Sequence, residues 1–290
     1  MNRGRHVQLA AWACVALTCS IPAAEARSHG ARVRSDEPNL RSSAVLVLDQ
    51  THSTVLYSRR ADLAAPIASI TKLMTALVVA DAGLPLDEQI QLTSEDRILG
   101  KGAASRLTLG TTLTRGDLIH LALMSSENRA AHALGRTYPG GLPAFVRAMN
   151  AKAHSLGMTS SHFVDPAGLS SDNVASAEDL SKLVLAAAAN PTIREFSTDP
   201  GYVVPVGRRK LEFRNTNALV SNPNWNIIVQ KTGYIREAGR CLVMQAMIQD
   251  RSVVIVLMNS VGKNTRVADA VRVRRWMEAR LNVAARNDRV

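Results

Sequence analysis

Cysteine is scarce in this 290-residue chain, and two of its three copies, Cys14 and Cys19, fall within the first 26 residues. Those residues read as an export signal. Arg3, Arg5 and His6 make a basic start, an apolar stretch runs over 7–21, and Ala24-Glu25-Ala26 supplies a small-x-small cleavage site. Cleavage before Arg27 leaves Cys241 alone, so an intramolecular disulfide is excluded and the mature chain must rely on its core. Cys241 lies in an apolar run and reads as a small buried hydrophobe rather than a reactive thiol. Long apolar runs are missing as well. The 7–21 stretch is shorter than the ~20 residues of a spanning helix and stops at Pro22, and the residues before Cys14 and Cys19 make a poor lipoprotein box. No stable membrane anchor is therefore expected after cleavage.

Aromatic residues are only 4% of the chain, and no basic run is interleaved with them. The formal net charge is +11; removing a leader with two arginines and one glutamate leaves +10. Such a surface is attracted to polyanions. A nucleic-acid partner would rest on charge alone and conflicts with export, so none is expected. The basic residues read as a solvated face with some attraction to an acidic wall polymer.

Residues 27–41 lack apolar periodicity and read as a flexible leader. Two short strands follow, at 44–49 and 53–58, joined as a hairpin across Gln50-Thr51-His52. Ile70, Leu73, Met74, Leu77 and Val78 recur at helical spacing, and that helix stops before Gly83 and Pro85. From about 87 to 200 the chain reads as mainly helical, with helices at 118–124, from 130, at 143–156 and at 177–189. Gly-Pro-Asn clusters at 138–143, 165–173 and 190–201 separate them. Strands return at 227–231, 242–249 and 253–259, the last two joined by a tight turn at Asp250-Arg251, and a final helix covers about 266–283. The expectation is an α/β (α+β) fold. One mainly antiparallel sheet is built from both ends of the chain and flanked by helices, with an all-helical lobe inserted at about 87–200 and the site between them. No internal repeat is present.

Three short motifs carry the chemistry. Ser69 and Lys72 of Ser69-Ile70-Thr71-Lys72 are three apart at a helix start, so they share a face. The free N–H groups of a first helical turn suit an oxyanion, and the amine can take the hydroxyl proton. Lysine titrates near 10.4, so a base role requires burial or a second cation, for which Lys231 is the candidate. Ser126-Glu127-Asn128 sits in a break between helices, where the hydroxyl can relay a proton to a leaving amine and the Asn128 amide can hold the lysine or the substrate. Read blandly, the same residues are a helix cap. Lys231-Thr232-Gly233 ends a strand, whose edge can pair an extended peptide while Lys231 and Thr232 engage a terminal carboxylate. Gly233 is expected to leave room for the substrate. No cofactor or metal is expected.

Each motif has a rival. Ser-x-x-Lys arises by chance about once in a chain of this size, and Ser260-Val261-Gly262-Lys263 is a second copy. Ser171-Asp172-Asn173 also matches the form of the second motif, but lies about a hundred residues after Ser69. Glu278-Ala279-Arg280-Leu281-Asn282 imitates a deacylating glutamate motif, yet follows Lys231 instead of preceding it. A Ser-His-Asp hydrolase is disfavoured because no Gly-x-Ser-x-Gly elbow occurs.

The ordered set, with the phrases 68–75, 124–131, 213–217 and 231–244 around it, resembles the penicillin-binding-protein and serine β-lactamase superfamily. Within it the chain is most similar to the low-molecular-mass D-alanyl-D-alanine carboxypeptidases and endopeptidases, over about 42–283. The resemblance implies a β-lactamase/transpeptidase-like fold with a D,D-peptidase catalytic domain at 42–290. It implies Ser69 as the acylated nucleophile, Lys72 as general base, Ser126 as proton relay, and Asn128 positioning Lys72 and substrate. Lys231 and Thr232 would bind the carboxylate, and the backbone N–H groups of Ser69 and Tyr234 would form the oxyanion hole. The implied substrates are peptidoglycan stem peptides or their cross-links in the periplasm, with β-lactams as covalent inhibitors. Without a placed glutamate, β-lactam acylation should reverse slowly. A β-lactamase and a catalytically idle wall-binding module are the alternatives, the latter disfavoured because every expected reactive side chain is present. The motifs do not separate endopeptidase from carboxypeptidase. The absence of an added C-terminal domain or long amphipathic tail in the sequence leans towards a soluble periplasmic endopeptidase.

Overall fold

In the computed structural model, strand β1 (Ser42–Asp49) turns back through β2 (Thr54–Arg59) to the two-residue β3 (Ala65–Pro66), and a tight helical turn at Ala68–Ile70 leads into α1 (Thr71–Asp81). The short strands β4 (Gln89–Gln91) and β5 (Thr112–Thr114) precede α2 (Arg115–Met124), α3 (Asn128–Arg136) and α4 (Gly141–Ser155). Then come β6 (Val174–Ala175), α5 (Ala177–Ala189), α6 (Pro191–Thr198) and the hairpin β7 (Gly201–Val206) with β8 (Arg209–Arg214). Strands β9 (Asn226–Ile235), β10 (Gly239–Ile248) and β11 (Arg251–Ser260) and helix α7 (Thr265–Asn287) complete the chain. The structure describes residues 37–97 and 105–287. The expected export signal, with the leader as far as residue 36, lies outside them.

The main sheet has the order β2-β1-β11-β10-β9, antiparallel throughout, so strands from both ends of the chain meet at the β1–β11 pair as expected. Both faces are covered, which explains why β11 is apolar without a break. Val254, Val256 and Met258 face the core shared with α1 and α5, while Val253, Ile255 and Leu257 face α7 through Ala270, Val273 and Met277. The apolar side of the arginine-rich last helix is thus spent on the sheet. Helix α1 is buried from Thr71 to Val79, the mark of a central helix surrounded by others. Among the described residues no helix is long and apolar enough to cross a membrane.

Four details differ from the sequence reading. The turn before β11 is Gln249-Asp250, both with positive φ (47° and 63°), the pairing that matches strand twist in a two-residue hairpin. The inserted lobe is not all helical, because β4 pairs β5 within it and β6 pairs β3. These strands are too short to show a period. Helix α6 occupies the expected separator at 190–201, capped by the Asn190 side chain with Pro191 at its first turn. The β7–β8 hairpin is a fourth addition; Pro205 and a run of exposed charges hide its alternation.

The ordered body also begins before residue 42. Leu40 is buried, and the N–H groups of Arg41 and Ser42 donate to the Asp269 carboxylate of α7, at 2.9 and 2.7 Å. Ser42 Oγ donates to the same oxygen at 2.7 Å, and Arg272 pairs with the other. Asp269 is fully buried, so removing it strands several donors. Asp269→Ala is expected to lower unfolding stability by about 3 kcal/mol, read from the midpoint of urea denaturation; a change under a few tenths would mean the clamp is dispensable.

Candidate active site

Three elements converge on one amine. Lys72 Nζ, fully buried on the first turn of α1, lies 2.8 Å from Ser69 Oγ, 2.8 Å from Asn128 Oδ1 and 2.6 Å from the Ala167 carbonyl oxygen. Ser69 sits in the tight turn just before α1, where Ala68 adopts φ +50°. That strained residue lifts the serine out of the helical path while keeping it one turn from Lys72. The hydroxyl also reaches the Ala167 carbonyl at 3.4 Å.

The second motif is both a cap and a functional break. Helix α2 ends at Met124, Glu127 caps α3 by accepting from the Ala130 N–H at 2.8 Å, and between them Ser126 takes φ +62°. The left-handed residue turns its hydroxyl towards β9, where Lys231 Nζ donates to Ser126 Oγ at 2.9 Å and to the Thr232 carbonyl at 2.8 Å. Thr232 Oγ1 meets Thr216 Oγ1 at 2.6 Å, and the Thr216 N–H donates to the Met124 carbonyl. The phrase Phe213–Asn217 is therefore a clip that ties the break after α2 to β9. Asn215 completes it by accepting from Gln230 and donating to the Ser197 and Asp199 carbonyls.

Gly233 departs from the expectation. A Cβ there would stand 2.8 Å from the Ile67 carbonyl oxygen and 3.2 Å from the Ser69 nitrogen. The space a side chain would fill is occupied by the turn that carries Ser69 rather than left open. The glycine lets β9 run directly beside Ser69. Tyr234, the next residue, is exposed with Arg240 stacked over its ring.

The segment 165–173 forms the floor. Gly168, at φ +74°, lies so close that a Cβ would fall 2.0 Å from the Ala68 carbonyl oxygen, and Thr75 donates to the Pro166 carbonyl at 2.7 Å. Ser171 is exposed, while Asn173 is fully buried in the loop's own hydrogen bonds. The other decoys separate as cleanly. Ser260 ends β11 against Ser42, and Glu278 accepts from Arg274 along α7. Burial pushes the Cys241 thiol up to about 11, an inert group.

The electrostatics follow from burial. Desolvation lowers Lys72 from 10.5 to about 7, against the opposing pull of Asp165 and Glu127. That corresponds to on the order of 5 kcal/mol against holding the charge. Burial also lowers Lys231, and the nearby Lys72 and Arg266 lower it further. Burial is thus the largest influence on both amines, and the mutual repulsion of the two lysines adds to it. Two contributors had no signal in the sequence: the Ala167 carbonyl, which is main chain, and Arg266, which donates to the Gly233 carbonyl at 3.1 Å from a helix notable only for arginines.

A neutral amine has two N–H bonds and one lone pair. Asn128 Oδ1 and the Ala167 carbonyl can only accept, so they take the two N–H groups and the lone pair faces the one partner able to donate, Ser69. Chemically, the arrangement can supply a hydroxyl nucleophile with a base aimed at it, beside a second amine and hydroxyl able to serve a leaving group.

The family model for D-alanyl-D-alanine carboxypeptidase matches residues 31–262. The D-alanyl-D-alanine endopeptidase of Pseudomonas aeruginosa is 49% identical over 244 residues, covering 83% of this chain and 79% of that one. Its Escherichia coli K12 counterpart is 46% identical over 266 residues, covering 89% and 83%. The crystal structure of the Streptomyces K15 DD-transpeptidase superposes with a TM-score of 0.78 at 27% identity, covering 84% and 99%.

With Lys72 near 7 and the neutral amine required, acylation of Ser69 should rise with pH through about 7 and be lost below it. Rates of labelling by a fluorescent penicillin between pH 5.5 and 9 test this; a rate flat down to pH 5.5 would remove Lys72 as base.

Proposed function

Since the chain belongs to the D-alanyl-D-alanine carboxypeptidase family of serine peptidases, we propose that it is a periplasmic endopeptidase that opens D-Ala cross-links in peptidoglycan through a Ser69 acyl-enzyme. The observation that carries the chemistry is the single amine held between Ser69, Asn128 and the Ala167 carbonyl. Lys72 takes the Ser69 proton as Oγ attacks the D-Ala carbonyl, and the N–H groups of Ser69 and Tyr234 stabilise the oxyanion. Ser126 relays a proton to the departing amine as the C–N bond breaks, taking one in turn from the Lys231 ammonium that donates to it at 2.9 Å. Water then hydrolyses the ester and regenerates Ser69. Asn128 holds Lys72 and the substrate backbone. Lys231 and Thr232, with Arg266 behind them, meet the carboxylate next to the scissile bond, and its arrival restores the charge on Lys231. We read the site as part of a catalytic domain at 42–290, its ordered body carried back to Leu40 by the Asp269 clamp, after a cleaved export signal.

Endopeptidase is favoured over carboxypeptidase on two grounds. The relatives sharing nearly half of the residues carry the endopeptidase name. A cleft of about 520 Å³ also opens beside Ser126, lined by Arg106, Glu127, Phe213 and Arg214 among others, with room for a leaving strand larger than one residue. Digestion of purified sacculi should remove cross-linked dimers, and Ser69→Ala should abolish this. Loss of terminal D-Ala alone would make the enzyme a carboxypeptidase.

The partners of Ser69 Oγ are Lys72 and the Ala167 carbonyl; no carboxylate among the described residues bonds to it. The expectation of slow deacylation rests on the sequence, where the deacylating-glutamate form Glu278-Ala279-Arg280-Leu281-Asn282 follows Lys231, and on the fold, which places Glu278 on α7 against Arg274. A penicillin-labelled enzyme should keep its label for many catalytic turnover times, and rapid steady-state penicillin hydrolysis would restore the β-lactamase reading.

A further inference from the structure

The base of this site is aimed by a main-chain carbonyl, and a carbonyl has no side chain to place it. Its position must come from whatever fixes the loop. Asp165 does so with unusual completeness. Its Oδ1 accepts from the N–H groups of Ala167 at 2.7 Å and Gly168 at 2.6 Å, with Leu169 at 3.4 Å. Its Oδ2 accepts from the Ser170 N–H at 2.9 Å and from Asn173 Nδ2 at 2.7 Å. Asn173, fully buried, returns the bond by accepting from the Val164 and Asp165 N–H groups, while its own carbonyl accepts from the Ile67 N–H, two residues before Ser69. One carboxylate thus gathers the amides of the turn so that the Ala167 carbonyl points the other way, at Lys72.

We infer that Asp165, with Asn173, is a positioning residue for the catalytic lysine: it holds the Ala167 carbonyl where it captures one Lys72 N–H and leaves the lone pair on Ser69. The inference rests on the reading of Lys72 as general base. The same geometry serves both protonation states. When Ser69 gives up its proton, the ammonium gains a third N–H and finds three acceptors already in place: Ala167, Asn128 and the serine oxygen. No side chain has to move during proton transfer, which keeps reorganisation small. The charged groups facing this amine are Asp165 from the loop, Glu127 from the start of α3 and Lys231 from β9. Removing the Asp165 charge takes away a group that favours the ammonium, so the base form should persist to lower pH.

The test uses the full chain, with acylation by a fluorescent penicillin followed from pH 5.5 to 9 and thermal midpoints measured alongside. Asp165→Asn places an NH₂ against the Asn173 NH₂ and the Ser170 N–H, and should slow acylation about tenfold or more at the pH optimum. It should also move the acid limb downward by about half a pH unit. The exchange Asp165→Asn with Asn173→Asp restores one donor–acceptor pair between the two side chains and should recover a large part of the lost rate. If Asp165→Asn fails to fold, the exchange double variant still reads the limb, because its carboxylate has moved. A folded Asp165→Asn with the wild-type rate and an unmoved limb would overturn the inference. So would a rate that falls only with the fraction of folded enzyme, which marks the loop as merely structural. If the wild-type enzyme itself lacks an acid limb, the reading of Lys72 fails instead, so the two failures are told apart.

Discussion

A lysine amine without access to water is the constraint around which this molecule is organised. Burial holds Lys72 near 7, and its three neighbours decide which way its electrons face. Two are obligate acceptors and one is a hydroxyl, so the protonation pattern follows from donor and acceptor identity rather than from any special strength of a bond. The cost of placing an amine there is what makes it a base near neutrality. A solvated lysine at the same spacing from a serine would stay charged and inert.

Holding that amine requires the walls to come close, and the backbone shows where. Ala68 and Ser126 both adopt left-handed conformations, one beside Ser69 and one carrying the hydroxyl that meets Lys231. Gly168 and Gly233 press against the turn that carries Ser69 so tightly that neither position has room for a Cβ. Non-glycine residues in this region cost about 1–3 kcal/mol each. The surrounding body meets that cost with a five-stranded sheet buried on both faces and a central helix buried on all sides. The rigid part of the fold thus lies directly behind the strained part.

Much of this was legible beforehand. The apolar, β-branched runs placed the main strands, and the β1–β11 closure followed from strands at both ends of the chain. The order of the three motifs brought together the side chains that the structure does gather, and rejected Ser171, Ser260 and Glu278, which it leaves apart. What escaped notice had a common cause. The strands β3 to β6 are two or three residues long, too short for a period, and the next hairpin carries Pro205 in β7 and exposed charges in β8. Gly233 was assigned to substrate because a strand edge looks open until the segment packed against it is known.

Ser69 and Lys72 one turn apart, a capped break carrying Ser126 and Asn128, and a strand ending in Lys231-Thr232-Gly233 are local patterns, and local chemistry suffices to write them into a sequence. The Ala167 carbonyl belongs to no side chain, and its approach to Lys72 depends on a loop 95 residues away closing over the nucleophile's turn. The same holds for Arg266 behind β9 and for Thr216 beside Thr232. Residue types determined which groups can react. Only the tertiary fold, by excluding water and bringing distant main chain within hydrogen-bond reach, decided which amine is buried and which way its lone pair faces.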